Sequence, residues 1–203
     1  MAVNGEKRHR RTQADRSNAT RAALLASGRA LFAEKGFAGT AREEIVERAG
    51  VTRGALHHHF GTKQDLFAAV FEVLERELAA RIATAAMAGA DPRDQLRRGC
   101  QEFLDAALDP AVQRIVLLDA PAVLGWATWR EVDARYGLGL VTEGLRAVLA
   151  GGGAAPRAVE PLGHLLLAAL NEAAMLVAGS PDPGGARAEV GAIVDQLLDS
   201  LTS

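Results

Sequence analysis

VTRGALHHHFGTK, residues Val51 to Lys63, describes a turn that delivers a short helix. The buried side of that helix needs only Leu56 and Phe60, which share one face at the i, i+4 spacing. At about 100° per residue, Gly54, His57 and His58 point roughly the opposite way. The outer face is therefore small at one position and hydrogen-bonding at the others. Thr52 is suited to cap the helix by accepting from the backbone of Gly54 or Ala55, which leaves Arg53 at the helix nose. Gly61 suits a left-handed stop, and Thr62 with Asp65 three residues on forms a capping box for a further helix.

Upstream, a helix is expected from about Asp15 or Arg16 to Lys35, with Leu24, Gly28 and Leu31 on one stripe, Leu25 and Phe32 beside it, and Gly36 as its stop. Thr40 with Glu43 forms another capping box, opening a short helix that buries Ile45 and Ala49 and ends at Gly50. Three short helices result, the second and third joined by a tight Gly50–Val51–Thr52 turn. That spacing predicts a helix-turn-helix, whose second helix enters the major groove while the first braces it. Residues 1–14 carry Lys7, Arg8, Arg10 and Arg11 without an apolar pattern, and are expected to be a disordered arm. Such an arm is either a solvated tail or one that tracks a nucleic-acid groove.

Charge supports the same division. Residues 1–63 hold 12 Lys+Arg against 6 Asp+Glu, and residues 64–203 hold 11 against 19, so a basic head precedes an acidic body in a chain whose net charge is only −2. A basic head suits contact with a polyanion. The 203 residues, 49% of them hydrophobic, suffice for a real core. The single cysteine, Cys100, excludes an intrachain disulfide and reads as a small buried hydrophobe, with a redox role as the alternative. Without a signal peptide or an apolar run of about 18 residues, the chain is expected to be cytoplasmic; Leu162 to Ala178 contains His164, Asn171 and Glu172.

From Gly36 to Val70, GFAGTAREEIVERAGVTRGALHHHFGTKQDLFAAV resembles the N-terminal DNA-binding domain of TetR-family transcriptional regulators. The matching positions are the Gly-aromatic pair, the Thr cap, the Ile, the Ala-Gly-Val turn, Gly-Ala-Leu, His-Phe and the Lys that opens the fourth helix. Two positions depart from the family pattern: Val46 stands where it usually has Ala, and His57 where it usually has a phosphate-contacting Tyr. The resemblance implies that Arg53, Gly54, Ala55 and His58 face base edges, with Arg53 suited to guanine and Ala55 to a thymine methyl. It implies phosphate contacts for Thr40, His57 and Lys63. Thr40 as a cap alone, and Arg53 and Lys63 as solvated charges, are the alternatives. Three consecutive histidines splay around a helix and cannot converge on one metal ion; no metal and no cofactor is expected.

Beyond Lys63 a long fourth helix to about Ala88 carries Leu66, Phe67, Val70, Phe71, Leu74, Leu78 and Ile82. Asp91-Pro92 and Asp109-Pro110 open two more. In RIVLLDAPAVLGWATWREVDARYG, residues 114–137, Pro121 and Gly125 interrupt the periodicity. Asp119, Trp126, Trp129, Asp133 and Tyr136, with Asn171, are candidate lining for a ligand cavity; core aromatics and surface charges are the alternative. Some TetR-type effector domains have a similar D-x-P-A-V-L-G-W stretch. GGGAAP at 151–156 is an expected loop. The following helix, to Ala178, is apolar nearly all round, and the last, about Ala186 to Leu201, has a clean stripe. A second chain would cover them, with Leu166, Leu170, Met175, Val190, Ile193, Val194 and Leu197 at a twofold four-helix interface.

The sequence thus predicts an all-α protein of about nine helices: a helix-turn-helix head over residues 15–62 and a helical ligand-binding and dimerisation body over 63–203. The function expected is a cytoplasmic, dimeric, ligand-responsive repressor of a palindromic operator, its partners double-stranded DNA and an unidentified small molecule. An architectural DNA-binding protein is the rival. A helical enzyme lacks support, since no G-x-S-x-G, H-E-x-x-H or P-loop spacing occurs.

Overall fold

The computed structural model describes residues 13–151 and 159–202, all helix or short connection with no strand among them. The expected arm lies outside these residues except for Gln13 and Ala14, which already belong to the first helix; nearly all of the expected 151–156 loop lies outside them too.

Helix α1 (Gln13–Gly39) buries Leu24, Gly28, Leu31 and Phe32, and kinks where its stop was expected, at Gly36 (φ 71, ψ 171). Any side chain there would meet a forbidden φ and collide with the guanidinium of Arg114. α2 (Arg42–Ala49) buries Ile45 and closes on Gly50 in the left-handed conformation. Its cap differs from the Thr40–Glu43 box expected: Ala41 is the N-cap residue, and the Glu44 carboxylate accepts from the Ala41 N–H at 2.9 Å. α3 (Arg53–His59) starts on Thr52, whose hydroxyl accepts from the Ala55 N–H at 3.1 Å. It ends because Phe60 turns extended (φ −142, ψ 107), so Gly61 does not supply the left-handed stop. α4 (Lys63–Met87) opens with the Thr62–Asp65 capping box.

In the body, Asp91 caps α5 (Pro92–Ala106) by accepting from the Asp94 N–H at 2.9 Å. A π-wound segment, Val112–Asp119, then leads into α6 (Ala120–Leu124). The Ala120 N–H donates to Ile115 O, five residues back. This wide turn absorbs Pro121, which lacks an N–H and would clash with the carbonyl four residues before it in an ordinary α-helix. The break falls instead at Gly125 (φ 82, ψ 149), where α7 (Trp126–Asp133) begins. A second π segment, Ala134–Leu138, joins α8 (Gly139–Gly151); α9 (Val159–Gly179) and α10 (Pro183–Thr202) complete the described chain. α9 is long and apolar enough to cross a membrane. Its apolarity serves the core: Leu166, Leu167, Leu170, Ala174 and Val177 are buried against the protein.

α4 runs along α5 and against α1, α5 also meets α8, α9 and α10, and the Val112–Asp119 segment bridges α1 and α9. One continuous apolar cluster extends from Leu24 in α1 to Leu198 in α10. Where head meets body, Phe67 stands edge-on to Phe32 and to Phe37, each at 5.2 Å between ring centroids.

Candidate nucleic-acid interface and internal cavity

Burial of Leu56 and Phe60 orients α3. The guanidinium of Arg21 lies 5.3 Å from the Phe60 ring centroid and covers it. Arg53, Gly54, His57 and His58 are consequently exposed and Ala55 half-buried, so the residues expected to meet base edges lie on the solvent side of one helix. Arg53 stands free enough to reach outward, paired among the described residues only with the exposed Glu43 of α2, at 3.5 Å.

Thr40 and Lys63 are placed differently from the other expected contacts. The buried Thr40 hydroxyl donates inward to Gly36 O at 2.8 Å and Leu31 O at 3.2 Å. Lys63 Nζ donates to Phe37 O at 2.8 Å and Thr40 O at 2.9 Å, 4.2 Å from the Phe37 ring centroid. The cause is Gly36: the chain reversal there brings the Phe37 and Thr40 carbonyls to the start of α4, where the ammonium meets both. One of its three N–H donors remains for any further contact. Lys63→Met is therefore expected to lower unfolding free energy by about 1–3 kcal/mol without DNA present. Urea denaturation checks this, and unchanged stability would reduce Lys63 to a surface charge.

The six side chains proposed for a cavity are not brought together. Asp119 Oδ2 accepts from the Phe37 N–H at 2.6 Å, at the head–body junction. Trp129 is buried and its indole N–H donates to Val116 O at 3.2 Å, while Trp126 is exposed and lies against it at 4.8 Å between centroids. The segment that carries these three packs against α1 and α4. Asp133 and Tyr136 do line a cavity of about 580 Å3 among α4, α5, the second π segment, α8 and α9. Asn171 stands behind Asp133, donating to Oδ2 at 2.8 Å, and Arg130 donates to the same oxygen at 2.7 Å. Burial raises the Asp133 pKa, opposed by these two partners.

Glu75, absent from the expected lining, is the most consequential residue in it. It is 5% exposed, and burial, with the charge of Asp133 second, pushes its carboxyl up to about 8. The sequence carried a signal: an acid adjoining Leu74 and one turn before Leu78 on the buried stripe of α4. Cys100 also lines the cavity, where burial pushes its thiol up to about 12 and keeps it unreactive. Among the described residues no cluster of three His, Cys, Asp or Glu side chains is placed to hold a metal ion.

The residues expected at a two-helix interface of α9 and α10 do not share one exposed face. Leu166, Leu170 and Val194 are buried within the protein's own core, and Met175 and Val190 are half-buried against it. Ile193 (57%) and Leu197 (38%) are exposed, and Leu165 (69%) and Leu176 (57%) join them on the outside. Both helices are apolar on more than one side, so periodicity could not say which side the protein covers itself.

An outward short helix braced by a second helix, on a helical body with a cavity, defines a helix-turn-helix protein of the DNA-binding kind. Residues 24–70 match the family profile of bacterial regulatory proteins, tetR family, and residues 93–201, over half the chain, match the tetracyclin repressor-like C-terminal domain. The chain belongs to the TetR family, whose members are regulators and not enzymes. It is 35% identical over 129 residues to the HTH-type transcriptional regulator CymR of Pseudomonas putida, covering 61% of this chain and 63% of that protein. It is 28% identical over 129 residues to the transposon Tn10 TetC protein of Escherichia coli, covering 64% and 65%. The chain thus matches just under two thirds of the length of these curated relatives. A crystal structure of a TetR-family transcriptional regulator from Pectobacterium atrosepticum, 35% identical, superposes with a TM-score of 0.83 over 95% of this chain and 98% of that one.

Proposed function

We propose that the chain is a ligand-responsive transcriptional repressor that binds a palindromic operator as a homodimer. The observation that carries this reading is the solvent face of α3, with Arg53, Gly54 and His58 exposed and Ala55 beside them on a helix braced by α2. Arg53 reads guanine, Ala55 a thymine methyl, and His57 a phosphate. Lys63 and Thr40 chiefly hold the shape of the head, Lys63 adding a phosphate contact through its remaining N–H. The head comprises α1 to α3, about residues 15–62, and the body the rest.

Pairing of two copies through Leu165, Leu176, Ile193 and Leu197 would complete a four-helix bundle and set two heads about one DNA turn apart or somewhat more. A molecule in the cavity would act on the heads through α4, which forms a cavity wall and ends at Lys63, and through the Val112–Leu124 segment. That segment is tied to the head by Asp119 on the Phe37 N–H and to the start of α4 by Gln64 Nε2 on Val123 O at 2.9 Å. The coupling available is about 1–3 kcal/mol.

Selection of bound duplexes from a randomised DNA pool at near-physiological salt tests the reading. An enriched palindrome is expected. Binding without enrichment that fades as salt rises would favour an architectural role instead. On the selected site Arg53→Ala is expected to cost about 1–3 kcal/mol and to relax base preference at one position per half-site.

A further inference from the structure

The cavity lining is chemically one-sided. Three carboxylate side chains, Glu75, Asp133 and Glu143, face it; among the described residues no Lys, Arg or His lines it, and most of the remaining wall is apolar, including Ile82 and Phe103. The three acids are not equivalent. Asp133 is already matched by Arg130 and Asn171, and Glu143 is exposed to solvent. Glu75 is nine-tenths buried, borders the cavity, and makes no hydrogen bond or ion pair with any described residue. A buried carboxyl without a protein partner requires one from elsewhere.

Resting on the effector reading above, we propose that the cavity takes an amphipathic organic cation, an apolar body carrying a protonated amine that donates to the Glu75 carboxylate. Ion pairing at Glu75 places the positive charge beside a carboxylate that no described residue neutralises, whereas Arg130 already offsets Asp133. An organic carboxylate of the same shape would meet only acids. The volume of about 580 Å3 suits a drug-sized molecule.

Binding carries a proton signature. In the empty cavity burial and Asp133 keep the Glu75 proton in place up to a pH of about 8. The arriving ammonium displaces that proton to solvent and leaves carboxylate paired with ammonium, so one proton is released for each cation bound. Affinity should strengthen as pH rises toward about 8 while the amine stays protonated. The titratable groups that line the cavity with Glu75 are Asp133 at the end of α7, Tyr136 in the second π segment, Cys100 from α5 and Glu143 from α8; α9 contributes Leu167 and Leu170 to the wall.

Calorimetry on the full chain, without DNA, tests this with three probes that share one ring system: naphthylmethylamine, naphthylmethanol and naphthoate. The ammonium is expected to bind about tenfold or more tighter than the alcohol, with naphthoate weakest. Glu75→Gln should abolish the preference for ammonium over alcohol while keeping the alcohol's affinity. Naphthoate binding as tightly as the ammonium, an unchanged preference in Glu75→Gln, or no binding by any probe would overturn the proposal. The wild-type ranking alone decides it should the variant fail to fold. An enriched palindrome without a cation preference would discard this inference and keep the regulator reading; a cation preference without enrichment would do the reverse.

Discussion

Phe67→Ala is expected to lower unfolding free energy by about 3–5 kcal/mol, a large share of the roughly 5–15 kcal/mol of an ordinary domain. The ring is fully buried and belongs to α4, yet its neighbours Phe32 and Phe37 belong to the head. Truncation removes the apolar burial of a large ring, two edge-on aromatic contacts and the support of the Gly36 reversal at once. The void would be lined by rings and aliphatic chains, so water cannot fill it favourably. Relaxation is restricted because Leu66 already presses on Gly28, where an added Cβ would meet it at 3.2 Å. Since the core is continuous from α1 to α10, the loss should appear as a lower urea midpoint for the whole molecule rather than a detached early transition of the head. A loss below about 1 kcal/mol would mean that α1 and α4 close over the gap, and that head and body are less firmly joined than their packing indicates.

The parts of this architecture legible in the sequence are those fixed by neighbours within about one helical turn. Thr52 and Ala55, Thr62 and Asp65, and Leu56 and Phe60 are each separated by three or four residues, and their chemistry determines α3 and its outward face. The one-residue error at the α2 cap, Ala41–Glu44 in place of Thr40–Glu43, arose because the Thr40 hydroxyl had a better use, donating to Gly36 O and Leu31 O. What was not legible depends on distant partners. Asp119 meets Phe37 across 82 positions, and nothing near Asp119 in the chain distinguishes it from a cavity acid. The tryptophans misled for a related reason: a buried Trp needs an acceptor for its N–H, and Trp129 found Val116 O inside the core. On α9, Leu165 and Leu166 are adjacent, yet one is exposed and the other buried, and only the tertiary fold sets that phase.

The junction residues also explain how a cavity could influence a head that it does not touch. The reversal after Gly36 is held from two sides: Lys63 from α4 takes its carbonyls, and Asp119 from the body takes the Phe37 N–H. Asp119 is itself steadied by Arg114 at 3.4 Å, and the Arg114 guanidinium fills the space beside Gly36 that a side chain would need. Directional contacts of this kind transmit small displacements because a charge-assisted hydrogen bond weakens steeply when its geometry is lost. A displacement of α4, which carries Glu75 and one wall of the cavity, would act on this clamp through Lys63.

Glu75→Gln is expected to alter the pH dependence of stability strongly. The carboxyl ionises near 4.5 when the chain is unfolded and near 8 when folded, because burial and Asp133 disfavour its charge. Below 4.5 both states hold the proton and the group contributes no pH dependence. Between 4.5 and about 8 the folded state holds a proton that the unfolded state has lost. Wild-type stability therefore falls as pH rises through that window, and above it the full penalty is present. At about 1.4 kcal/mol per pH unit, the upper limit is roughly 5 kcal/mol. Glutamine has the same shape and no charge, so its own cost, a buried amide that must find partners, is the same at every pH. Urea unfolding of both proteins across the window supplies the test, and the difference between them cancels every other titrating group. That difference should shift steadily in favour of the variant, by several kcal/mol between the acid and alkaline ends. Parallel curves would mean that Glu75 is already ionised in the folded protein at acid pH, and the buried carboxyl would then need a partner that the packing around it does not supply.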